Sequence, residues 1–144
     1  MEVVFSLIAD AANISNDGKL NVLGKFDRLN ATGFPTRHPS MTVVIQLRAS
    51  RFEAGNERTL ELILADPDGQ PLARAMGRMM VPATAGPEPI DMLVPPITFR
   101  DLVFIRPGPH AFVIMLGGEE KGRAQLSVVE HAQELTSDES SSAG

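Results

Sequence analysis

Apolar and polar positions along this chain alternate with a period of two. Val43, Ile45 and Leu47 interleave with Val44, Gln46 and Arg48. Leu60, Leu62 and Leu64 interleave with Glu61, Ile63 and Ala65, and Ala124, Leu126 and Val128 with Gln125, Ser127 and Val129. Successive side chains of a strand point to opposite faces, so each run buries one side, and the pattern predicts strands rather than helices. Turn residues punctuate the runs. Ser15-Asn16-Asp17-Gly18-Lys19 separates the first strand region from 20–29, Asp66-Pro67-Asp68-Gly69 separates 58–65 from 71–81, and Gly117-Gly118-Glu119-Glu120 separates 109–116 from 121–130. Asp-Gly and Gly-Gly supply the left-handed backbone that tight hairpins need. Such hairpins predict antiparallel pairing, because parallel strands need long crossovers.

Two segments read as long connections: 30–40, with Gly33, Pro35 and Pro39, and 82–96, with Pro82, Pro87, Pro89, Pro95 and Pro96. The second holds a short strand near 90–94. The one helical expectation is a single turn at 51–56, capped by Ser50. Beyond about Glu130 the alternation stops. The expected organisation is one all-β, antiparallel two-layer sandwich of about eight strands over 1–130. A disordered acidic, serine-rich tail is expected over 131–144.

Composition narrows the chemistry. At 144 residues the chain can bury a full core without metals or disulfides. It contains no cysteine, which removes disulfides, thiolate metal sites and cysteine nucleophiles, and fits a cytoplasmic protein. The net charge is −5, but Glu134, Asp138 and Glu139 belong to the tail, leaving 15 acids against 13 bases in the body. That near-neutral body argues against a nucleic-acid partner, which would demand a basic face. No apolar run is long enough to cross a membrane, and Glu2 stands where an export signal carries basic charge.

The residues that usually carry chemistry take structural readings. His38, His110 and His131 have no histidine at metal-ligand spacing. Asp10, Asn13, Asp17 and Asp27 crowd the N-terminal third, yet their spacing is not that of a calcium loop, and Asn13 and Asp17 read as turn formers. The pairs Asp66 with Asp68 and Glu119 with Glu120 fall on hairpin tips, where no burial raises a carboxyl pKa. No Gly-x-Ser-x-Gly elbow or phosphate loop occurs. No catalytic, cofactor or metal residue is assigned, and an enzyme is not expected.

One strand is apolar on both sides: Phe112, Ile114 and Leu116 fill one face, Ala111, Val113 and Met115 the other. A sandwich strand normally shows water its outer face. Met76, Met79 and Met80 add soft, adaptable apolar surface, and Leu93 and Val94 extend the excess. An interaction surface around Val113, Met115, Met76 and Met80 follows, engaging a protein partner or a second copy. The expected function is a non-catalytic interaction or structural module acting through an apolar sheet face or edge. The alternative is a small-molecule or metal-binding protein using the loops around 10–27 and 82–96.

Two resemblances sit beside this reading. Ile97, Phe99 and Leu102, followed by Arg106-Pro107-Gly108-Pro109-His110-Ala111-Phe112-Val113-Ile114, resemble a corner of immunoglobulin-like sandwiches. His110 takes the place of the corner tyrosine and Phe112 that of a buried cysteine. The stretch Leu7-Ile8-Ala9-Asp10-Ala11-Ala12-Asn13-Ile14-Ser15, with Asp17-Gly18-Lys19-Leu20-Asn21-Val22-Leu23-Gly24, Phe26-Asp27, Phe34-Pro35, His38-Pro39 and Arg106-Pro107-Gly108, is similar to a family of small bacterial proteins classed as a domain of unknown function. That resemblance implies no activity, ligand or catalytic residue.

Overall fold

The computed structural model describes residues 1–83 and 86–132; from residue 133 on, the expected tail lies outside the described residues. Within them the chain forms ten strands: β1 (Glu2–Ile14), β2 (Leu20–Phe26), β3 (Arg28–Ala31), β4 (Thr36–Ala49), β5 (Glu57–Ala65), β6 (Pro71–Met80), β7 (Ile90–Leu93), β8 (Ile97–Phe104), β9 (Gly108–Leu116) and β10 (Glu119–Glu130). A single 3₁₀ turn at Arg51–Glu53 follows Ser50, whose N–H donates to the Glu53 carboxylate at 3.0 Å.

The strands form two sheets. One runs β2-β1-β4-β7, with β8 also paired to β4; the other runs β3-β10-β9-β5-β6. The inward positions of both pack into one core built on Met41, Val43, Ile45, Leu47, Leu62, Leu64, Phe112, Ile114 and Leu126. These are the alternate apolar positions of the sequence pattern, so the period of two is what assigns each strand its buried face. The expected hairpins close β1 to β2, β5 to β6 and β9 to β10.

Three expectations need correction. The strands number ten rather than about eight, because the run 20–29 divides at Asp27 and β7 and β8 are separate strands. Pairing is antiparallel except between β3 and β10, which run parallel. That follows from Asp27: the chain leaves β2 in one sheet and enters β3 in the other without reversing direction. Residues 36–40 are strand rather than connection despite Pro39. There β4 pairs only with β8, since β1 joins it from Thr42, so the missing proline N–H costs no ladder bond on a doubly paired strand.

Because β1 and β8 both pair with Thr42 and Val43, β8 lies on the opposite side of β4 from β1. β7 lies on that same side, pairing with Gln46 to Ala49. β7 and β8 are thus one edge interrupted at Pro95-Pro96, where neither residue has an N–H. Further along β8, Phe99 and Leu102 both face the core although three apart. Asp101 between them has φ 55, which breaks the alternation.

The corner before β9 is built around His110, which is almost wholly buried. Its Nδ1 lies 3.0 Å from the Gly108 carbonyl; a carbonyl only accepts, so Nδ1–H is the donor. The ring meets Phe104 edge-on, with centroids 5.2 Å apart.

Candidate functional site

The two lateral sides of the sandwich differ. At one, β2 and β3 are a single chain crossing between sheets at Asp27, whose carbonyl accepts the Ser127 N–H at 2.9 Å. At the other, where the chain passes from β6 to β7 through residues 81–89, β6 of one sheet stands opposite the broken edge β7–β8. Between them opens a groove of about 260 Å³, walled by Leu60, Ala75, Met79, Val94, Pro95 and Ile97, with Met76 and Arg78 at its rim. Leu60, Ala75 and Met79 are inward positions of β5 and β6, and Ile97 an inward position of β8. The walls are therefore the margin of the core, left open because the proline pair breaks the strand that would cover it.

The register of β5, β6 and β9 settles where the four sequence-derived surface residues stand. Glu61 pairs with both Met76 and Met115, Ile63 with Val113, and Glu57 with Met80. All four therefore share the outer face of the β3-β10-β9-β5-β6 sheet, but they are not equivalent. Met76 and Met80 are 65% and 58% exposed, whereas Val113 is only 8% exposed and Met115 half-buried. Val113 is flanked directly by Ile63 of β5 and Arg123 of β10. Its cover comes from these neighbours, so Val113 leaves the surface and β6 carries it.

The other candidate residues do not converge. Asp10 stands opposite Gly24, Asn13 Oδ1 accepts from Asn21 Nδ2 at 2.9 Å, Asp17 sits in the β1–β2 turn, and Asp27 at the crossing between sheets. The Ser15 hydroxyl and Lys19 hold the Asp17 carboxyl below its ordinary range. Among the described residues no group of three or more His, Asp or Glu could hold a metal ion. Asp66 Oδ1 accepts the N–H groups of Gln70 and Asp68 at 2.8 and 2.9 Å. With the Gln70 N–H as the largest influence and Arg106 nearby, these bonds outweigh its desolvation and keep Asp66 ionised. Glu120 is likewise held down by Arg123, at 2.6 Å. Each of these carboxylates holds a turn or an ion pair. Arg78 is the one ionisable group among the described residues lining the groove, so what the groove offers is apolar contact.

The sequence reading grouped Met76 and Met80 with Val113 and Met115 and counted Val94 among the excess apolar residues, with Pro95 in the 82–96 connection, but it did not join Leu60 and Ile97 to them. Leu60 lies on β5 and Ile97 at the start of β8, far apart in sequence, so only folding brings them to one groove.

The geometry defines an all-β sandwich with one closed and one open side. The sequence matches the profile of a Family of unknown function (DUF6941) over residues 4–129. The chain belongs to that family. A comparison with curated proteins gives no match. Among solved structures, the chain is similar to the Pseudomonas fluorescens alkylpurine DNA glycosylase AlkC bound to DNA containing an abasic site analog. The TM-score is 0.45 at 10% identity, covering 86% of this chain and 30% of that one. This chain thus spans under a third of the glycosylase, and a similarity at that level carries no argument about activity. Among the described residues, no helix is long and apolar enough to cross a membrane.

Proposed function

We propose that this protein is a non-catalytic interaction module that engages another polypeptide through the open side of its sandwich. The observation behind this reading is an exposed, methionine-rich edge strand, β6, beside an apolar groove. Unbranched methionine side chains adapt to irregular partners, and filling the groove with one aliphatic side chain contributes about 1.5–3 kcal/mol. The immunoglobulin-like kinship belongs to the same proposal and is supported by the buried His110 corner.

A photo-cross-linking side chain placed at Met76, with a matched control at Leu23, tests the reading in the protein's native cells. Leu23 is 71% exposed and lies on β2, at the opposite side of the molecule. The expected result is a polypeptide adduct from position 76 and none from position 23. Equal labelling, or none at 76, overturns the proposal. Thermal denaturation against divalent cations and a metabolite panel addresses the rival small-ligand reading; an upward shift of several degrees would favour it.

A further inference from the structure

Resting on the interaction-module reading above, we infer that the partner enters as an extended strand with acidic residues at alternate positions, pairing with the free edge of β6. β6 pairs with β5 along its length and, among the described residues, with no strand on its other side. Alternate residues along that free side therefore present unpaired N–H and C=O groups, the template for strand addition.

Charge selects the occupant. Arg74 and Arg78 stand on the outer face of β6, since they pair with Ile63 and Thr59, on the same face as Glu61. β6 itself carries no Asp or Glu. One strand further in, Glu61 and Glu57 reach these arginines at 3.4 and 4.0 Å. The outer face thus reads acidic on β5 and basic on β6, and a following strand continues the alternation with acid. Opposite charges on neighbouring strands favour pairing and like charges oppose it. A second copy paired about the middle of the exposed methionine stretch is opposed by charge. Two-fold antiparallel pairing centred on Met76 would set Arg74 directly opposite the copy's Arg78. The partner's intervening side chains point inward, where Ala75, Met79, Val94 and Ile97 leave room for aliphatic groups.

The test uses the full chain and a peptide of alternating valine and glutamate, matched in length to β6. Backbone amide shifts on titration should localise to β6, and valine–lysine alternation should weaken binding by about tenfold or more. N-methylation of every second amide in the valine–glutamate peptide should weaken it comparably if backbone pairing is the mode of entry. The double variant Arg74→Gln, Arg78→Gln, both sites exposed, places no like charges beside Glu57 and Glu61, should fold as the parent does by circular dichroism and should abolish the preference. Equal affinity of the parent for both peptides removes the acidic specificity, and indifference to N-methylation removes strand addition. Shifts confined to β2, or a dimer by sedimentation, overturn the inference. If every peptide fails while position 76 still cross-links, the inference falls and the interaction-module reading stands.

Discussion

The two lateral sides of this sandwich solve the same problem in opposite ways. A sheet edge presents unpaired backbone, and a sandwich has such edges on both sides. At the β2–β3 side the chain crosses between the sheets with only Asp27 between strands, and the outer strands are seven and four residues long. Gly24 there takes φ 71 so that the backbone passes close to Asp10. The β6 side has a ten-residue outer strand, a longer connection over 81–89 that leads to β7 in the other sheet, and a facing edge broken by two prolines. Its protection is Pro71 at the start of the strand and two arginines along it. At the first side the chain changes sheet within one residue; at the second a longer connection leaves an apolar groove between the sheets. On the proposed reading, the constrained side serves the fold and the accessible side serves binding.

The largest expected effect breaks the closed side. Gly24→Ala puts a Cβ against the Asp10 carboxylate in a backbone conformation that side chains rarely adopt. It should cost about 2–3 kcal/mol in a denaturant melt. Adding Asp10→Ala should recover the steric part and leave the conformational part, and full additivity of the two substitutions would show the contact to be unimportant. Leu29→Ala, on the partly buried inner face of β3, should cost about 1–2 kcal/mol by the same measurement. Met76→Ala on the open side should change stability by no more than about 0.5 kcal/mol while lowering cross-linking or peptide affinity. A stability loss as large as that of Leu29→Ala would mean that β6 serves the fold rather than a partner.

The smallest expected effect concerns acid. The Arg48 guanidinium, donating to Asp91 at 2.7 Å, holds that carboxyl below its ordinary value of 3.8 and ties β7 to β4 on the open side. A depressed carboxyl favours the folded state above its ordinary pKa, and that contribution is lost as pH falls through the folded value. The denaturant midpoint should therefore decline slightly on acidification below about pH 4, and Asp91→Asn should flatten that part of the profile. An unchanged slope in the variant would remove Asp91 as a source of acid sensitivity.

Much of this architecture was legible in the pattern of side chains, and the exceptions are instructive. Leu60, Leu62 and Leu64, or Phe112, Ile114 and Leu116, announce their buried face directly, because a strand's geometry converts alternation into sidedness. Asp66-Pro67-Asp68-Gly69 announces its turn through local hydrogen bonds from Gln70 and Asp68. Pro39 misled, since the rule against proline in a strand holds only where both sides are paired, and pairing partners are not local information. Val113 misled similarly: its outward direction was readable, but its burial depends on Ile63 and Arg123, distant in sequence.

By itself, then, the sequence determined the all-β class, the inward faces of the strongly alternating strands and the three hairpins between neighbours. Those depend on interactions within a few residues and on the two-residue repeat. Tertiary structure alone decided which strand ends each sheet, that Asp27 closes one side, and that β6 faces a broken edge across an apolar groove. Those depend on the company each strand keeps, and that company is brought together only when the chain folds.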